Sequence, residues 1–116
     1  LTNDEERKKM VRENIKITVF KKVEPEYVFG YQLTNDSGGV IPSCTLFEEG
    51  DEFISEGLNK PEGFCTFAWA TIQRSAEILF WGGDFDGFLG PGVTYTCCSD
   101  GVRPVVFKLE RLENKR

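Results

Sequence analysis

The chain has no histidine at all among its 116 residues, and only one methionine. Without an imidazole, neither a Ser-His nor a Cys-His nucleophilic pair can be assembled within it. It has no apolar run near the ~20 residues that a membrane span needs, so no membrane partner is expected. A basic stripe is missing too. Fourteen Lys and Arg stand against 19 Asp and Glu, for a net charge of -5, which speaks against nucleic acid as a partner. The basic residues gather instead in Arg7-Lys8-Lys9 and from Arg111 to Arg116, interleaved with acids, and read as solvated faces. No signal-peptide pattern is legible at the start, although the chain opens on Leu1 rather than Met, which leaves a processed leader open.

What is present is sulfur and aromatic rings. The four cysteines are Cys44, Cys65 and the adjacent Cys97 and Cys98, and twelve of the fifteen aromatic residues lie between Tyr27 and Phe88. Length and composition fit one modest core. Residues 1–14 read as a charged N-terminal arm and residues 15–112 as a single α+β domain. Ile15, Ile17 and Val19 alternate with Lys16, Thr18 and Phe20, the pattern of a strand with one buried face. Glu24 to Ser43 reads as a long loop with a mobile Gly-rich centre, in which Tyr27, Phe29 and Tyr31 suggest a short strand. A second short strand spans Glu52 to Ser55. From Phe64 to Phe80, Cys65, Ala68, Trp69, Ile72, Ala76, Leu79 and Phe80 recur every three or four positions, so this is the principal helix, and Gly82-Gly83 ends it.

Val93 to Cys98 and Val105 to Leu109 form a hairpin around Asp100-Gly101. A two-residue loop would put the apolar side chains of its two strands on opposite faces. A three-residue loop, Asp100-Gly101-Val102, pairs Cys97 with Val105, Tyr95 with Phe107 and Val93 with Leu109, and gathers them on one face. The longer loop, with a bulge, is therefore expected, with Cys97 buried and Cys98 facing away beside Thr94 and Thr96.

Three chemistries compete for the cysteines. Four thiolates could complete a tetrahedral shell for zinc or iron, yet there is no C-x-x-C and the separations of 21 and 32 positions match no common module. Neighbours on a strand point to opposite faces, so Cys97 and Cys98 could both ligate only at a bulge; Cys44, Cys65 and Cys98 make the more natural trio. A reactive thiol is the second reading, with Cys65 at the positive end of the helix and Arg103 near Cys98. The third is that cysteines fill the core as small hydrophobes. Two shorter motifs weigh little. Gly82-Gly83-Asp84-Phe85 lacks the glutamate of the nucleotide-cyclase signature, and Asp84-Phe85-Asp86-Gly87 lacks the later ligands of a calcium loop. Asp51, Asp100 and Arg103 are the polar residues of interest: Asp100 fits turn chemistry, whereas Arg103 could hold a carboxylate.

The segments Cys44-x-x-Phe47-x-x-Gly50-Asp51-x-Phe53, Pro61-Glu62-Gly63-Phe64-Cys65-x-x-Ala68-Trp69, Gly82-Gly83-x-Phe85 and Cys97-Cys98-x-Asp100-Gly101-x-Arg103-Pro104-Val105-x-Phe107 carry a resemblance. By them the chain resembles a small uncharacterised family of bacterial and archaeal four-cysteine proteins. It departs in having Thr45 where that family tends to show proline and Phe67 where it tends to show tryptophan. The resemblance implies a cytoplasmic domain whose four cysteines belong together, and no particular activity.

The fold expected is α+β, a small antiparallel sheet or partial barrel with one principal helix packed on it. The first functional expectation is a cysteine-centred site, with zinc or iron on Cys44, Cys65, Cys98 and Cys97 or with a reactive thiol. It would bind or act on an anionic or aromatic small molecule held by Arg103, Asp100, Trp69 and Trp81, between the helix start and the hairpin tip. The alternative is a non-catalytic binding or oligomerisation module with structural cysteines, working as a homo-oligomer.

Overall fold

The alternation of Ile15, Ile17 and Val19 is realised in strand β1 (Ile15–Lys22), the first element of a computed structural model that describes residues 14–85 and 87–112. The charged arm expected over residues 1–14 lies, apart from Asn14, outside the described residues, as do Asp86 and residues 113–116. The further elements are a one-turn helix α1 (Pro25–Phe29), β2 (Glu52–Ser55), the principal helix α2 (Thr66–Phe80), β3 (Val93–Cys97) and β4 (Val105–Arg111). The strands form one antiparallel sheet in the order β2-β1-β4-β3, open at both ends, with α2 against one face. This is the α+β arrangement expected from the sequence.

The core lies between that face and the helix. Ile17 pairs with Leu109 and Val19 with Phe107, so the apolar alternations of β1 and β4 fall on one side. Ala68, Trp69, Ile72, Ala76, Leu79 and Phe80 of α2 cover them and are buried in turn. Each large side chain so withdrawn from water contributes on the order of 1.5–3 kcal/mol over leaving it exposed. At the start of α2, the Phe47, Phe64 and Phe107 rings meet at centroid distances of 5.0–5.4 Å, which clamps the Cys44–Asp51 loop and the helix N-terminus onto β4. At the other end the helix stops as its glycines predict. Gly82, at φ 91°, donates its N–H to the Leu79 carbonyl and Gly83 to that of Ile78. A Cβ on Gly83 would stand 2.8 Å from Ile78 Cγ2, so this position has no room for a side chain.

Three sequence expectations are corrected. The β3–β4 register pairs Cys97 with Val106, Thr96 with Phe107 and Thr94 with Leu109, so Thr94, Thr96 and Cys98 take the core side while Val93, Tyr95 and Cys97 face outward. Cys97 is exposed and Cys98 is buried, the reverse of the expectation. The cause is the loop. Cys98 donates its N–H to the Val105 carbonyl, continuing the ladder, and Asp100 Oδ1 accepts the N–H groups of Val102 (2.9 Å) and Arg103 (3.2 Å). With its main-chain donors satisfied by that side chain, the turn spans Ser99 to Pro104 and does not tighten to three residues.

Second, the alternating Tyr27, Phe29 and Tyr31 are not a strand. Pro25 starts a single helical turn that Gly30 closes in the left-handed region at φ 81°, and Tyr27 is 86% exposed, so no buried face lay behind the alternation. Third, the bulge lies elsewhere. Phe20 is the extra residue, between Val19 opposite Phe107 and Lys21 opposite Val106, and it points outward. Around Asn35 the Gly-rich loop folds back on itself: Thr34 bridges Val40, and Asn35 Oδ1 accepts the N–H groups of Ser37 and Gly39 at 2.9 Å.

Candidate functional site

The four thiols are distributed through the fold and all are free. Cys98 is 8% exposed, and its Sγ accepts the Val105 N–H at 3.3 Å, which makes it part of the hairpin's own bonding. Cys65 is the N-cap residue of α2, half-buried and making no side-chain cap bond. Cys44 is half-buried too, and both pack against the core of which Cys98 is a member. Among the described residues, though, no group of three or more Cys, Asp or Glu is arranged to hold a metal ion. Cys97 cannot join Cys98 in a shell, because regular pairing through Cys97 puts the two on opposite faces.

The ligand set expected at the hairpin tip divides. Ser99 meets the first half of α2, its Oγ 3.2 Å from Thr71 Oγ1. Arg103 turns the other way, to a cleft of about 400 Å³ that it lines with Asp100, Val102, Asn35 and Val40 to Pro42. Its Nε lies 3.6 Å from Asp100 Oδ2, so its charge already has a counterion. The Asp100 carboxyl is held below the ordinary carboxylate range first by the Val102 N–H, then by the N–H and charge of Arg103, with burial opposing. Trp69 is a core residue against Phe64, with ring centroids 6.3 Å apart. Trp81 caps the far end of α2 and is 50% exposed. Twelve residues of helical rise set the two backbone positions about 18 Å apart along the axis. Only Asp100 and Arg103 of that set share a site.

Sequence reasoning missed Arg111 and gave Asp84 only a solvated turn. Arg111, whose side chain is 14% exposed, donates through Nη1 to the Gly83 carbonyl (2.9 Å) and the Leu79 carbonyl (3.2 Å), and through Nη2 to Asp84 Oδ1 (2.8 Å). A cation is thereby set against the negative end of the α2 dipole. Asp84 Oδ1 also accepts the Gly92 N–H at 2.7 Å, and that bond, followed by the one from Arg111, lowers its carboxyl below the ordinary range. The ion pair thus joins the helix end, the start of β3 and the end of β4. The legible signal was an acid just past a Gly-Gly helix stop; Arg111 itself sits in a charged run that hid it.

The side of the sheet away from α2 is uncovered among the described elements. Toward one end it carries Lys16, Glu52, Lys108 and Glu110, in ion pairs of 3.5–3.8 Å. Next to these it carries Phe20 edge-to-face on Tyr95 at 5.1 Å, with Tyr95 opposite Lys108 and Cys97 opposite Val106. β3 ends the sheet, and its sequence Val-Thr-Tyr-Thr-Cys has neither charge nor proline. The bonds Cys98 N–H to Val105 O and Arg111 N–H to Gly92 O fix the phase of its ladder. By alternation, Thr94 and Thr96 bond to β4, and the main-chain groups of Val93, Tyr95 and Cys97 point off the sheet. No helix among the described residues is long and apolar enough to cross a membrane. Comparison with protein-family models, with curated proteins and with solved structures gives no match in any of the three.

Proposed function

We propose that this chain is a non-catalytic binding module whose Cys44, Cys65 and Cys98 serve its core and whose binding surface is the β3 edge of the sheet. The observation that carries the reading is the uncharged outer strand β3, with its outward main-chain groups beside the exposed Phe20–Tyr95 pair. Free edges of this composition pair with another strand unless charge, proline or cover prevents it. The hydrogen bond to Cys98 Sγ gives that thiol a structural role. Four free thiols fit the reducing compartment that the family resemblance implies. An anionic small molecule has less support, because Asp100 already neutralises Arg103.

Metal analysis of protein purified without oxygen, together with thiol titration, tests the reading. The expected result is no stoichiometric zinc or iron and preferential labelling of Cys97 in the folded protein. About one zinc or iron per chain, lost in a Cys98→Ser variant that stays folded, would overturn it.

A further inference from the structure

We infer that the partner of β3 is a second copy of this chain, bound strand to strand in antiparallel fashion about a two-fold axis at Tyr95. The inference rests on the binding-module reading and adds the identity of the occupant. An isologous contact requires a surface complementary to itself, and β3 has that property. Read from either end, Val93-Thr94-Tyr95-Thr96-Cys97 gives a small apolar residue, a threonine, the tyrosine, a threonine and a small apolar residue. An axis at Tyr95 sets Tyr95 opposite the partner's Tyr95, Thr94 opposite the partner's Thr96 and Val93 opposite the partner's Cys97. Every pair is of like character, and no charge is brought against another.

The hydrogen bonding fits the same axis. Val93, Tyr95 and Cys97 are the residues whose N–H and C=O point off the sheet, and in this register they meet one another in hydrogen-bonded pairs. Thr94 and Thr96 keep their bonds to β4. The axis runs perpendicular to the sheet, so both α2 helices stay on one side and the two Phe20–Tyr95 pairs come together on the other, forming one aromatic patch across the junction. A foreign peptide would need the free backbone groups but not the mirrored side chains; only self-pairing uses both.

Sedimentation equilibrium on the full chain and a cross-link test the assignment. The unaltered protein is expected to be dimeric. Tyr95→Lys, which places two ammonium groups at the axis on an exposed position, is expected to sediment as a monomer with its circular dichroism unchanged. Because that substitution could also weaken the fold, Val93→Cys provides a second route. Hydrogen-bonded pairs keep their Cα atoms about 5.5 Å apart, within disulfide range, so with glutathione disulfide as oxidant the new thiol should join to the partner's Cys97. The unaltered protein should give no such dimer, because Cys97 and the partner's Cys97 lie at opposite ends of the junction. A monomeric unaltered protein, a Val93→Cys variant that does not cross-link, or cross-linking of the unaltered chain through Cys97 would each overturn the inference. A monomer without metal leaves the binding-module reading standing, whereas stoichiometric metal removes that reading whatever the oligomeric state.

Discussion

The two edges of the sheet are built to different rules. β2 is four residues long, carries the exposed Glu52 paired with Lys16, and is followed by a turn in which the Gly57 N–H is taken by Asn14 Oδ1. β3 is five residues long, of high β-propensity, and without charge. A short charged edge resists further pairing, while an uncharged one invites it. One flank of the sheet thus carries charge, and the other carries none. The cysteines follow the same division: Cys98 belongs to the interior and Cys97 to the open side.

This contrast presupposes that both edges hang on one rigid centre, and the largest effect should come from breaking that centre. Phe107→Ala removes the β4 ring that Phe47 and Phe64 enclose and should cost about 3–5 kcal/mol by denaturant unfolding. A loss below about 1 kcal/mol would mean that the ring cluster does not hold β4. Next in size is the tie that anchors β3 to the helix. Arg111→Met leaves the Gly83 carbonyl without its side-chain donor and Asp84 without its cation, while the Leu79 carbonyl keeps the Gly82 N–H, for a loss of about 1–3 kcal/mol. A neutral result would show that the β3 edge is fixed by ladder bonds alone. The same tie has a pH signature. Because the folded state lowers the Asp84 and Asp100 carboxyls, their contribution is complete above the unfolded carboxyl range, near pH 4, and is lost as pH falls through the lower folded values. In Asp84→Asn that acid-side loss should shrink; an unchanged acid limb would assign it to other groups. The smallest effect sharpens the contrast itself. Glu52→Thr removes the charge from the β2 edge and should add weak association beyond the dimer in sedimentation velocity. If nothing changes, the shortness of β2, rather than its charge, protects it.

The centre of the fold and the positions of both edge strands were legible in the sequence, and the register of β3 was not. Ile15, Ile17 and Val19 on β1 and the three-and-four spacing of α2 are strong periodic signals because a single core enforces them. β3 gave no such signal. Its apolar Val93, Tyr95 and Cys97 alternate with Thr94 and Thr96, yet the threonines take the core side, because the register was set by the turn, and the turn by one side chain, Asp100, bonding two backbone N–H groups. The role of Asp100 in the turn could be read; the loop length that follows from it could not. Arg111 escaped because partners 27 and 28 positions away leave no local pattern. The inversion of Cys97 and Cys98 followed from the misread turn.

Residue-by-residue amide hydrogen exchange along β3 tests the central claim most directly, because protection there separates two sets of bonds. Thr94, Thr96 and Cys98 have N–H groups directed to β4 and should be protected in any folded state. Tyr95 and Cys97 have theirs directed off the sheet. Pairing with a second copy predicts that these two are also protected at high concentration and lose that protection on dilution, while Thr94 and Thr96 keep theirs. An alternating pattern at every concentration, with Tyr95 and Cys97 exchanging as freely as loop amides, would contradict it.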